Sequence, residues 1–301
     1  MDSPVAYAAK ETSSMTSCFF ASDLHGHTDR YQKLFTAIEQ EPRELVFLGG
    51  DLLPPFIESL HREDSTGSDF VNGFLKDGFS ELKRKLNDQY PSVFLILGND
   101  DPKTEEESLE QAGKNGLWTH IHGRVLTFGQ YTIAGYACVP PTPFKLKDWE
   151  RYDVSRFVDP GCIPPEEGSF SVPTPTREIS RQTIQNDLEK LTNGMDFSNA
   201  VFLFHSPPYD TVLDRAALDG RMVDHAPLDV HVGSIAIKRF LERTQPIVSM
   251  HGHVHESAEL TGSWKGQIGR THILGAAHSG PELALVGFTL ENPGDATREL
   301  L

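Results

Sequence analysis

The stretch His251-Gly252-His253-Val254-His255-Glu256 gathers three of the chain's 13 histidines within five positions. It follows Pro246-Ile247-Val248-Ser249-Met250, whose length and β-branched content predict a buried strand. The histidines therefore leave a strand end and enter a loop, which is where open α/β sheets carry their sites. Histidine is the commonest metal ligand but also a common surface residue. A histidine-rich polar loop is the competing reading, and the other strand ends decide between the two.

Those ends repeat the pattern. Residues 17–22 (SCFFAS) read as a buried strand that runs into Asp23-Leu24-His25-Gly26-His27. Tyr31, Leu34, Phe35 and Ile38 then fall at helical spacing, with Thr28 or Asp29 as the expected cap. The apolar run 45–48 ends in Gly49-Gly50-Asp51. An amphipathic stretch carrying Phe70, Phe74, Leu75, Phe79, Leu82 and Leu86 leads to the run 93–97, which ends in Gly98-Asn99-Asp100-Asp101. Such alternation predicts parallel βαβ units with polar residues delivered at strand C-termini.

Further along, residues 125–128 and 131–134 around Gly129-Gln130 predict a hairpin. The run 200–204 ends in His205-Ser206-Pro207-Pro208, and a helix capped by Ser234 is expected over 234–243. Residues 272–274 and 283–290 read as closing strands.

At 301 residues and 38% hydrophobic content the chain can bury a substantial core. Residues 15–301 are expected to form a single domain, and 1–14 a disordered lead. No window approaches the roughly 18 apolar residues of a membrane span, and the start lacks the apolar core of a signal peptide, so the cytoplasm is the expected location. Cys18, Cys138 and Cys162 are odd in number and widely spaced, which argues against disulfides or a thiolate metal site. A net charge of −16 weighs against a protein that tracks an extended nucleic acid. A small anionic substrate then needs a local positive centre, which divalent cations would supply.

Between Tyr136 and Pro175 lie eight of the 20 prolines, too many for a helix or central strand. This Pro-rich insertion, 136–175, also holds Phe144, Trp149, Tyr152, Phe157 and Phe170 beside Lys145, Lys147, Arg151 and Arg156. Two readings stand: aromatics that pin the loop to the body beside merely solvated cations, or a specificity lid facing substrate.

Strand ends thus offer Asp23, His25, Asp51, Asn99, His205, His253 and His255. Carboxylate and amide oxygens mixed with imidazoles suit Mn²⁺, Fe or Zn²⁺ better than Ca²⁺. In order, Asp-x-His, Gly-Asp, Gly-Asn-x-Asp, a lone His and Gly-His-x-His resemble the motifs of the calcineurin-like metallophosphoesterase superfamily, spanning residues 23 to 255. The phrase from His231 through Gln245 to Glu256 further resembles stand-alone bacterial and archaeal members.

The resemblance implies a four-layer α/β/β/α sandwich with two divalent metal ions at one end. Asp23, His25 and His255 would hold one; Asn99, His205 and His253 the other; Asp51 would bridge them. Gly26 and Gly252 would let the backbone turn near the ligands. Such a pair shares and acidifies a water-derived hydroxide and clamps phosphate oxygens. The catalytic residues would be Asn99, Asp100 and His205.

The sequence departs from the pattern at Asp100, where many members carry a His thought to protonate the leaving group. An ordinary Asp is ionised near neutral pH and accepts rather than donates. It also repels a dianionic monoester more than a monoanionic diester. The expected activity is therefore hydrolysis of small phosphodiesters or esters with activated leaving groups. A phosphomonoesterase or protein phosphatase is the alternative, then a nuclease, and from a different class a non-catalytic metal-binding scaffold. Asp101, as orienting group or loop cap, stays open; His27 and His251 are read as bystanders, and Ser279-Gly280 as a late loop near the site.

Overall fold

A computed structural model describes residues 15–55 and 70–301, together with the backbone of 6–7. The expected lead, 1–14, otherwise lies outside the described residues.

The strands in chain order are β1 (Ala6–Tyr7), β2 (Ser17–Ala21), β3 (Leu45–Gly49), β4 (Ser92–Ile96), β5 (Thr119–His120), β6 (Arg124–Phe128), β7 (Tyr131–Tyr136), β8 (Ala200–Phe204), β9 (Met222–Val223), β10 (Ala226–Pro227), β11 (Val248–His251), β12 (Lys265–Ile268), β13 (Thr271–Gly275), β14 (Ala284–Thr289) and β15 (Thr297–Leu300). The longer helices are α1 (Thr28–Gln40), α2 (Lys76–Leu86), α3 (Glu106–Gly113), α4 (Ile184–Leu191) and α5 (Ile235–Thr244).

They build two large mixed sheets, ordered β15-β14-β2-β3-β4-β5 and β1-β6-β7-β8-β11-β13-β12, with β9 and β10 as a separate ribbon. In the first sheet β2 to β5 are parallel. In the second, β7, β8, β11 and β13 are parallel and the expected hairpin closes as β6 on β7.

The sheets pack face to face through β3 and β4 against β7 and β8. Phe20, Phe47 and Phe94, level with one another on β2, β3 and β4, are fully buried. On one outer face Phe35 of α1 meets Phe79 of α2 edge-on. On the other, Phe240 of α5 packs against Phe202 and Phe204. The result is the α/β/β/α sandwich of the metallophosphoesterase fold. Among the described residues no helix is long and apolar enough to cross a membrane.

Two local expectations change. His27, rather than Thr28 or Asp29, occupies the N-cap position of α1 and makes no side-chain cap. The 70–86 stretch enters α2 through a π turn, Val71–Leu75, in which the Leu75 amide reaches back to the Phe70 carbonyl at 2.9 Å. That wider turn brings both Phe70 and Phe74 onto the ring of Tyr31.

The insertion lacks ladder strands and helices from 137 to 175 apart from the short turn Pro165–Glu167. Trp149 and Tyr152 are buried and pin it, whereas Phe144 and Phe157 are exposed. Its cations are not all solvated. Lys147 is fully buried and donates to Glu150 Oε2 at 2.6 Å and to the Thr142 carbonyl at 2.8 Å. Thr142 in turn donates to Glu150 through both its amide and its hydroxyl.

Candidate metal centre

The site forms where the parallel strands of both sheets end. The loop after β2 is laced to the loop after β3, since Asp23 N–H donates to Gly50 O at 2.9 Å and His25 N–H to Asp51 O at 2.8 Å. Within the second sheet, Gly252 N–H donates to the carbonyl of His205 at 2.9 Å, joining the loops that follow β8 and β11.

Four of the expected ligands sit on left-handed backbone: Asp23 (φ 58), His25 (φ 46), Asp51 (φ 51) and His253 (φ 76). Each such residue costs of order 1–3 kcal/mol, and clustered cases of this kind collect at functional sites. Gly26 also has a positive φ, of 66. Gly252 is needed for another reason: a Cβ there would stand 2.0 Å from Ser22 Oγ and 2.6 Å from Asp23 Oδ2.

Two groups of convergent ligand atoms result, Asp23 with His25 and His255, and Asp51 with His205 and His253; within each group the atoms lie within 4.8 Å of one another. In the first, Nε2 of His255 stands 3.2 Å from His25 Nε2 and 3.2 Å from Asp23 Oδ1. Imidazoles bound to one Zn²⁺ have metal–nitrogen distances near 2.0–2.1 Å, so angles between square and tetrahedral place their nitrogens about 2.9–3.4 Å apart. The observed spacing fits that bite.

In the second group, His205 Nε2 lies 3.3 Å from Asp51 Oδ2 and 3.1 Å from Asn99 Oδ1. His205 Nδ1 donates to the carbonyl of Gly49 at 2.8 Å, which leaves Nε2 facing inward. Asp51 stands between the groups, its Oδ2 also 3.8 Å from His25 Nε2. All seven residues read from the strand ends therefore converge.

The electrostatics suit a cation. Burial alone would raise the Asp23 carboxyl, but the hydrogen bond and charge of His255 hold it far below the usual range. Burial is likewise outweighed at Asp51, which His205 and His25 keep at about 2. Burial opposes charge on His25 and His205, yet the surrounding carboxylates push both up to about 9. At His253 burial, aided by the charge of His205, wins and lowers the ring to about 4. Carboxylates that recruit protons onto neighbouring imidazoles present what a dication replaces, with release of those protons.

The remaining candidates separate cleanly. Asp101 is the loop cap: it is buried and accepts from the amides of Leu52, Leu53 and Gly98. Asp100 has a partly exposed side chain whose Oδ2 lies 3.3 Å from His25 Nδ1, and its amide donates to Asp51 Oδ1 at 2.8 Å. His251 is buried against Phe204, donates from Nδ1 to the Ser206 carbonyl and receives the Ser249 hydroxyl, so it is structural. Ser234 caps α5, and Asp153 from the insertion fills the helix terminus by accepting from Ser234 Oγ, Ile235 N and Ala236 N.

One residue escapes the motif reading. Arg30 is buried and donates to Asp23 O at 2.6 Å and to Gly280 O at 2.5 Å, tying the late loop to the first ligand. Its signal was present: Arg30, Leu34 and Ile38 share one helical stripe, so a charge stands on the apolar face.

Comparisons with known proteins agree with this architecture. The profile described as calcineurin-like phosphoesterase matches residues 18–257. The chain belongs to the calcineurin-like phosphoesterase family, whose members carry a dinuclear divalent metal centre. A crystal structure with 15% identity, covering 95% of this chain and 99% of its own, superposes with a TM-score of 0.59. The Thermus thermophilus protein TT1561, at 14% identity over 95% of this chain and 99% of its own, gives 0.53. A dimetal phosphatase from Danio rerio, at 11% identity over 95% and 92%, gives 0.46. No curated protein matches the chain at a significant level.

Proposed function

We propose that the chain hydrolyses small phosphodiesters, or phosphoesters with activated leaving groups, with two divalent cations drawn from Mn, Fe and Zn. Asp23, His25 and His255 hold one, Asn99, His205 and His253 the other, and Asp51 lies between. When bound, such a pair acidifies water and offsets the charge of the phosphoryl oxygens. The chain's own contribution is to hold the imidazole nitrogens and carboxylate oxygens convergent on strained but well-tethered backbone.

The observation that carries the reading is the convergence of two ligand groups around Asp51 at the ends of β2, β3, β4, β8 and β11. The preference among esters rests on Asp100, whose carboxyl stands 3.3 Å from His25 at the position where the family resemblance leads one to expect a histidine. The net charge of −16 favours small substrates over extended nucleic acid. The insertion leaves β7 at Tyr136, paired with Phe204 just before His205, so it starts beside the site and is the segment from which we infer specificity.

Rates on an aryl phosphodiester and the matching aryl monoester, measured with added Mn²⁺, test this. The diester should be favoured, and Asp100→His should move the ratio toward the monoester. An unchanged ratio removes the assigned role of Asp100. A folded protein that binds cations without turning over either ester marks a scaffold.

A further inference from the structure

We propose that Asp100 is a positioning residue whose carboxylate orients the His25 ring and thereby sets the cation affinity of the Asp23–His25–His255 group alone. The inference rests on the reading of that group as a cation site.

The two nitrogens of His25 face different partners. Nε2 points to His255 Nε2 at 3.2 Å and Asp51 Oδ2 at 3.8 Å, while Nδ1 stands 3.3 Å from Asp100 Oδ2. A neutral imidazole carries one ring proton, and a carboxylate beside Nδ1 selects the tautomer with that proton outward. The Nε2 lone pair is then directed inward, the arrangement that makes a histidine an effective ligand.

The other group achieves the same result by different means. His205 is oriented through Nδ1 by the carbonyl of Gly49, a backbone atom that no substitution removes. At His25 the equivalent acceptor is a side chain and can be deleted. Asp100 also touches the second group, but only through its amide, which donates to Asp51 Oδ1 and persists in any variant except proline. Its carboxylate therefore acts on one group and its backbone on the other. Because the side chain is 39% exposed, its replacement opens no core cavity.

The experiment is a Co²⁺ titration of the metal-free full-length chain, by calorimetry and visible absorption, for the wild type, Asp100→Ala and Asp100→Asn. The unfolding midpoint of each apoprotein serves as the fold control. In Asp100→Ala one of two Co²⁺ sites should weaken by about 10–100-fold, the range for losing the partner of a ligating histidine, while the other is unchanged. Asp100→Asn keeps an acceptor oxygen and should recover part of that loss. Equal weakening of both sites, no weakening of either, or no recovery in Asp100→Asn overturns the proposal. A wild-type chain that takes up no Co²⁺ overturns the binuclear reading itself, and this inference with it.

Discussion

Nε2 of His25 and Nε2 of His255 face each other at 3.2 Å although 230 positions separate them in the chain. Two inward lone pairs at that distance repel unless a proton or a cation lies between them, which makes the pair a sensitive reporter of occupancy.

His255→Ala should lower the cations bound per chain from two to one. His255 is itself part-exposed, so the variant should fold. A cation held at about 100 times its dissociation constant adds roughly 2.7 kcal/mol to stability. EDTA should therefore lower the melting temperature of the Mn²⁺-loaded wild type, and that of His255→Ala by less. Calorimetry with metal analysis checks both statements. A wild-type melting temperature indifferent to EDTA contradicts them.

The Lys147–Glu150 pair gives a second test, in the insertion. Both side chains are inaccessible to solvent, and Thr142 completes their hydrogen bonds. Removing one partner of such a pair strands a buried charge and typically costs about 3–5 kcal/mol. Glu150→Ala should approach that loss in urea unfolding, and Lys147→Met with Glu150→Leu together should lose less than either alone. Additive losses would mean that the two residues act independently.

Acid stability should report on His120, which stands near Trp149 and His122 away from the ligand groups. Burial, reinforced by the charge of Arg124 and opposed by Glu110, lowers its ring to about 4. The unfolded chain takes up the proton near pH 6.5, so the unfolded state binds more protons in the window between. Stability from neutral His120 is therefore full above pH 6.5 and is lost as pH falls toward 4, by about 3 kcal/mol. His120→Phe removes this dependence. The other histidines titrate in both proteins, so the difference in unfolding free energy should widen by that amount on acidification. A constant difference refutes the assignment.

What was legible in the sequence follows from how buried parallel strands are written. Their apolar runs are continuous, so the first polar residues after them stand out, and Asp23, Asp51, Asn99, His205 and His253 each follow such a run. Edge strands carry no such mark. Residues 265–268 (KGQI) and 297–300 (TREL) are polar because one face and one edge meet solvent, so no apolar run announces either strand.

The seven candidate ligands could be read as a set, but the contacts that orient them could not. Asp100 beside His25 and Asp153 at the start of α5 join segments 75 or more positions apart, with no local periodicity to announce them. Thr28 and Asp29 were reasonable helix caps by residue type, yet the Asp23-to-His27 turn places His27 at the cap position instead. There the tightly laced loops override local preference.

Both ligand groups close only with residues 253 and 255. During synthesis, a nascent chain that has emerged as far as β8 presents Asp23 with His25, and Asp51 with Asn99 and His205, but neither set is complete. On the proposed reading, full cation capture must wait until 251–256 leaves the ribosome and β11 pairs with β8. Metal loading is thereby placed late in the life of the growing polypeptide, and an occupied centre certifies that its two distant halves have met.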